Sequence, residues 1–79
     1  MEIVKIVRIN DVCFRGQYAY AIEKMMNGEE ITIDDFYNGK YEATNKVKRF
    51  ISLLEMARIK YDMRRNENDS IRSTVLKKL

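Results

Sequence analysis

An α+β domain is what this sequence predicts, on three observations. The stretch Glu2–Ile9 and the stretch from Ile59 to Leu76 are rich in β-branched or alternating apolar residues, which is strand patterning. Between them, two longer stretches repeat apolar residues at helical spacing. Asn10-Asp11, Gly28, Asn38-Gly39 and the polar run Arg65–Ser70 punctuate the chain where elements should end. Seventy-nine residues make one domain, with a core that stabilises by only a few kcal/mol.

Each element has its own justification. Glu2–Ile9 carries apolar side chains on both faces and predicts a leading strand, spanning residues 1–10 with its breaker. Phe14, Tyr18, Ala21, Ile22, Met25 and Met26 share one helical face and predict a first helix over Phe14–Asn27, stopped by Gly28. Glu29–Thr32 is short and extended. Thr32 then has the character of an N-cap, with Asp34 and Asp35 in the turn where the helix dipole favours negative charge. A brief second helix is expected from Ile33 to about Asn38. Val47, Ile51 and Leu54, with Phe50 beside them, form the buried stripe of a third helix over Tyr41–Arg58. Ile59, Tyr61 and Met63 alternate with Lys60, Asp62 and Arg64. With Ile71–Leu76 they predict a hairpin over residues 59–76, and Lys77–Leu79 is left as a tail.

Composition bounds the function. With 46% apolar and 34% charged residues the chain is globular rather than disordered. No apolar run approaches the length of a membrane span, and the charged N-terminus does not resemble a signal peptide. The single Cys13 cannot form an internal disulfide and is expected to be a small buried apolar residue. A cytoplasmic compartment is expected, on a nucleoid or in an infected host cell. The net charge of +3 is unevenly spread. Residues 1–39 hold four Lys/Arg against seven Asp/Glu, whereas residues 40–79 hold eleven against five. A basic C-terminal half on an acidic body suggests a polyanion partner.

The order of elements from the first helix onward is that of a winged helix-turn-helix. ITIDDFYN resembles the capped second helix of that superfamily. TNKVKRFISLLEMARIKY is similar to its third, recognition helix running into a wing strand, through Val47, Ile51, Leu54, Ala57 and Ile59. MRRNENDSIRSTVL is similar to the wing. The chain departs from the family in having Ala57-Arg58 where Gly is usual, and in its leading strand. The resemblance implies a double-stranded DNA-binding protein of the transcription regulators of viruses, plasmids or prokaryotic hosts. Asn45 and Arg49 would meet base edges, since Asn pairs bidentately with adenine and Arg with guanine. Lys46, Lys48 and Ser52 would meet phosphates, and Arg64, Arg65, Asn66 and Arg72 would come from the wing. The leading strand, with no evident partner nearby, suggests a homodimer paired through it. Lys, Ile, Asn and Tyr usage, with no Pro, His or Trp, is that of an AT-rich genome.

Catalysis finds no support in the residues. No His is present to serve as base or metal ligand, and no His/Cys set exists for zinc. Gly16, Gly28 and Gly39 are too scattered for a phosphate loop. No enzyme activity, cofactor, metal or small-molecule substrate is expected. Two alternatives stand beside the first reading. A ribbon-helix-helix dimer would read DNA with Lys5 and Arg8 on paired leading strands. A small viral protein that blocks a host protein would use Met56, Tyr37 and Tyr41.

Overall fold

The computed structural model describes residues 4–36, 43–64 and 74–79. Strands β1 (Ile6–Ile9) and β2 (Val12–Arg15) form an antiparallel hairpin, followed by helix α1 (Gln17–Met26). A 3-10 turn (Ile33–Asp35) and helix α2 (Ala43–Met56) come next, and strands β3 (Tyr61–Arg64) and β4 (Val75–Lys78) form a second antiparallel pair. Ile31 bridges to Leu76 of β4, tying the middle of the chain to this second sheet.

The N-terminal hairpin follows from two residues. Asn10 and Asp11 both take positive φ, 50° and 68°, the backbone that a tight two-residue hairpin turn requires and that Asn and Asp tolerate. Ile9 therefore pairs with Val12 and Val7 with Phe14. Gly16, at φ 58°, ends the ribbon by donating its N–H to the Lys5 carbonyl, and its own carbonyl accepts from Ala19 and Tyr20 to start α1.

Both helices end in the same way. At α1, Gly28 donates to the Met25 carbonyl and Glu29 to the Lys24 carbonyl. At α2, Arg58 donates to Glu55 and Ile59 to Leu54. These are paired Schellman bonds around a left-handed residue, Gly28 at φ 87° in one case and Arg58 at φ 58° in the other. Buried Ile59 and Leu54 supply the apolar contact that accompanies the motif. The Asn10 side chain donates to the Ala57 carbonyl at 2.7 Å, which joins the hairpin tip to the end of α2.

The core is built around three phenylalanines with no solvent exposure. Phe50 of α2 meets Phe14 of β2 edge-on at 6.1 Å and Phe36 at 5.3 Å, and Phe36 also meets Tyr18 of α1 at 5.7 Å. Ile22, Met25, Ile31, Val47, Leu54 and Leu76 fill the space around them.

This architecture corrects the sequence reading in several places. The three-helix winged helix-turn-helix is not formed: among the described residues there are two α-helices and two separate two-stranded sheets. Over its described residues the expected second helix is a 3-10 turn, Ile33–Asp35, capped by Phe36. There Thr32 Oγ1 accepts from the Asp34 N–H and Asp35 Oδ2 accepts from the Thr32 N–H, so the start of the turn is satisfied by its own side chains. The N-cap role expected of Thr32 is seen. Phe14 and Arg15 belong to β2, not to the first helix, because strand pairing claims them and Gly16 sets the helix start. The leading strand has its partner within the chain, six residues on. The strand exchange that motivated a dimer, and on which the ribbon-helix-helix alternative depends, therefore has no basis in a missing partner. Cys13 is exposed, not buried, since it lies on the outer face of the hairpin. The last strand extends to Lys78, because Leu76 is held between Ile31 and Met63, and Lys77 stands opposite Asp62. Asn38-Gly39 and the polar run 65–70 lie outside the described residues.

Candidate nucleic-acid interface

Helix α2 separates two kinds of surface. Ala43, Val47, Phe50 and Leu54 are buried, and Ile51 is half-buried. On the opposite side Asn45, Lys48, Arg49, Ser52 and Met56 are exposed. At 100° per residue these five fall within about a third of the helix circumference, so they form one continuous strip. The one acidic residue of the helix is Glu55, exposed in its last turn, where it accepts from the Tyr61 hydroxyl. None of the ion pairs among the described residues involves Lys48 or Arg49.

Arg49 lies close enough to α1 for its charge to act on Tyr18. Partial burial raises the Tyr18 hydroxyl above its usual pKa, and the nearby guanidinium opposes that shift. Lys46 leaves the strip: it is half-buried and donates to the Gln17 side-chain carbonyl of α1. Asn45, Lys48, Arg49 and Ser52 are thus brought together by one helix face, with Lys46 at its margin.

Of the residues expected from the second sheet, Arg64 lies among the described ones. Arg64 is exposed but held by Glu30 at 2.6 Å, with Asp62 at 4.0 Å on its other side. Its charge is compensated, and freeing it for a phosphate costs these contacts. Arg65, Asn66 and Arg72 lie outside the described residues, as do Tyr37 and Tyr41. Lys5 is similarly occupied. It pairs with Glu23 and sits 4.8 Å from the Tyr20 ring centroid. Lys24, bonded to Asp35 at 2.8 Å, braces α1 against the 3-10 turn, and this hydrogen bond is the main cause of its raised pKa.

Two exposed cations escaped the sequence reading as a pair. Arg8 and Arg15 lie on the outer face of the hairpin. The missed signal was Asn10-Asp11 between the alternating runs IVRI and VCFR, a short-hairpin pattern. Among the described residues no group of three or more His, Cys, Asp or Glu is placed to hold a metal ion. No helix among them is long and apolar enough to cross a membrane. No family model, no curated protein and no solved structure matches this chain.

Proposed function

We propose that this protein binds double-stranded DNA through the exposed face of α2. The observation that supports the reading is the strip Asn45, Lys48, Arg49 and Ser52, basic and continuous, with Glu42 and Glu55 only at its two ends in sequence. A lone helix fits the major groove of B-DNA, roughly 12 Å across. Arg49 offers a bidentate donor pair to guanine and Asn45 a donor and an acceptor to adenine, one turn away. Lys48 and Ser52 flank them at positions suited to phosphates. Charge and helix geometry support this binding mode; the arrangement of the other elements does not enter.

Fluorescence anisotropy with duplex DNA at two salt concentrations tests it. Binding should weaken steeply with salt, and Lys48→Ala should make the slope of log K against log salt shallower by about one unit. Arg49→Ala should cost about 1–3 kcal/mol on a preferred sequence and less on random DNA. Absence of binding at about 50 mM salt removes the reading.

A second reading has one observation in its favour. Met56 is 67% exposed and continues the same strip, which suits an apolar contact with a protein. In that case affinity would be insensitive to salt and would fall on Met56→Ala but not on Arg49→Ala.

A further inference from the structure

The β1–β2 hairpin has two faces of opposite character. Val7, Ile9, Val12 and Phe14 point into the core or pack against it. Ile6, Arg8, Cys13 and Arg15 point outward and are exposed. The register sets Arg8 opposite Cys13 and Ile6 opposite Arg15, so the two guanidinium groups lie on a diagonal with an apolar side chain beside each. Neither strand contains an acidic residue, and none of the ion pairs among the described residues uses Arg8 or Arg15. Lys5, by contrast, is neutralised by Glu23. Ile6 is 56% exposed in this otherwise cationic setting.

The shape of this surface also matters. It is an antiparallel ribbon two strands wide, closed by the two-residue turn Asn10-Asp11, whose exposed Asp11 is the one acidic residue of the hairpin. Strands in such a ribbon lie about 4.8 Å apart, and a two-stranded ribbon is the other element that the major groove admits. Arginine offers guanine a bidentate contact, and an aliphatic side chain suits the thymine methyl group.

The ribbon and the α2 strip face away from each other. Phe14 on the inner face of β2 packs on Phe50, which lies on the buried side of α2. Asn45, Lys48 and Ser52 project from the other side of that helix, and Cys13 and Arg15 from the other side of that strand. A sheet layer and a helix layer lie between Arg15 on one side and Asn45, Lys48 and Ser52 on the other, and the two surfaces come near each other at the hairpin tip, where Asn10 and Asp11 border Met56 and Arg58.

We propose that the outer face of the β1–β2 hairpin, through Arg8 and Arg15, is a second contact for duplex DNA, and that a single molecule links two duplex segments. This rests on the α2 reading for the first contact.

The test is a bridging assay. One duplex is fixed to beads, a second labelled duplex is free, and recovery of the label is measured with the full chain at low salt. Three proteins are compared: the parent, Arg8→Glu with Arg15→Glu, and Lys48→Glu with Arg49→Glu. All four positions are exposed, and circular dichroism checks that the variants fold. The parent should recover the free duplex. The hairpin variant should still bind a single duplex in anisotropy but lose bridging at least about tenfold, since at about 50 mM salt each lost phosphate contact is worth roughly tenfold. The helix variant should lose bridging as well.

If the parent binds duplex DNA yet recovers no second duplex, this inference fails and the α2 reading stands. If the parent binds no duplex DNA, both fail. Undiminished bridging by the hairpin variant also overturns the inference. Sedimentation without DNA decides the remaining case. A monomeric parent supports two sites on one molecule; a dimer that the hairpin variant dissolves shows that bridging comes from dimerisation, and overturns it.

Discussion

Arg58→Gly should stabilise the protein. Arg58 sits at the left-handed position that ends α2, with φ 58°. Its N–H and that of Ile59 make the two bonds that close the helix. An L-residue with a Cβ costs about 1–2 kcal/mol in that backbone region. Glycine removes this strain but adds freedom to the unfolded chain, which offsets about 0.4–1 kcal/mol. The net gain should be about 0.5–1 kcal/mol, or about 3–6 °C in Tm for a domain of this size. Thermal and urea unfolding followed by circular dichroism would measure it, with the urea slope unchanged. The companion experiment is Gly28→Ala at the end of α1. A Cβ added there meets nothing within 4 Å, so its cost is purely that of backbone conformation at φ 87°. It should destabilise by a similar amount. If Arg58→Gly melts below the parent, the reasoning is refuted: the Arg58 side chain then contributes more than its backbone strain costs, or residue 58 is not left-handed.

The remaining expectations concern the core, the hairpin tip and the tyrosines. Phe50→Ala should cost about 3–5 kcal/mol, because it empties the position where Phe14 and Phe36 meet. That approaches the whole stability of a small domain, and a variant that melts like the parent would show that this packing is wrong. Asn10→Gly keeps a turn that favours positive φ but removes the 2.7 Å bond to the Ala57 carbonyl. It should destabilise by about 1 kcal/mol in urea unfolding, and no loss would mean that water replaces the bond. Tyr18 and Tyr61 should ionise above 10.0 in an absorbance titration, Tyr18 because of burial and Tyr61 because of burial and its hydrogen bond to Glu55. Both pKa values are raised by folding, so their contribution is full below the unfolded value near 10 and is lost as pH rises through the folded values. Arg49→Ala removes the cation that holds Tyr18 down and should raise its pKa further. An unchanged or lower value would place Arg49 elsewhere.

The local grammar of the chain was legible in particular residues. Thr32 announced its cap, Gly28 its helix stop, and the spacing of Val47 and Leu54 the buried side of α2. The exposed strip of Asn45, Lys48, Arg49 and Ser52 followed from the same periodicity, because a helix that buries one side must expose the other. Short-range chemistry of this kind is written into the residues themselves.

What the sequence left open was decided between elements distant in the chain. Phe14 and Arg15 read as the start of a helix, and pairing of Val12–Arg15 with Ile6–Ile9 made them a strand. Phe36 ends the 3-10 turn in a core formed with Tyr18 and Phe50, a meeting of rings that local spacing does not announce. Arg64 looked like a free cation until Glu30, 34 positions away, was placed beside it. The outward pairing of Arg8 and Arg15 existed only once the hairpin register was set. Periodicity and capping act over a few residues and are carried by sequence alone. Strand pairing, ring packing and charge compensation depend on which distant residues meet, and only the tertiary structure determines that.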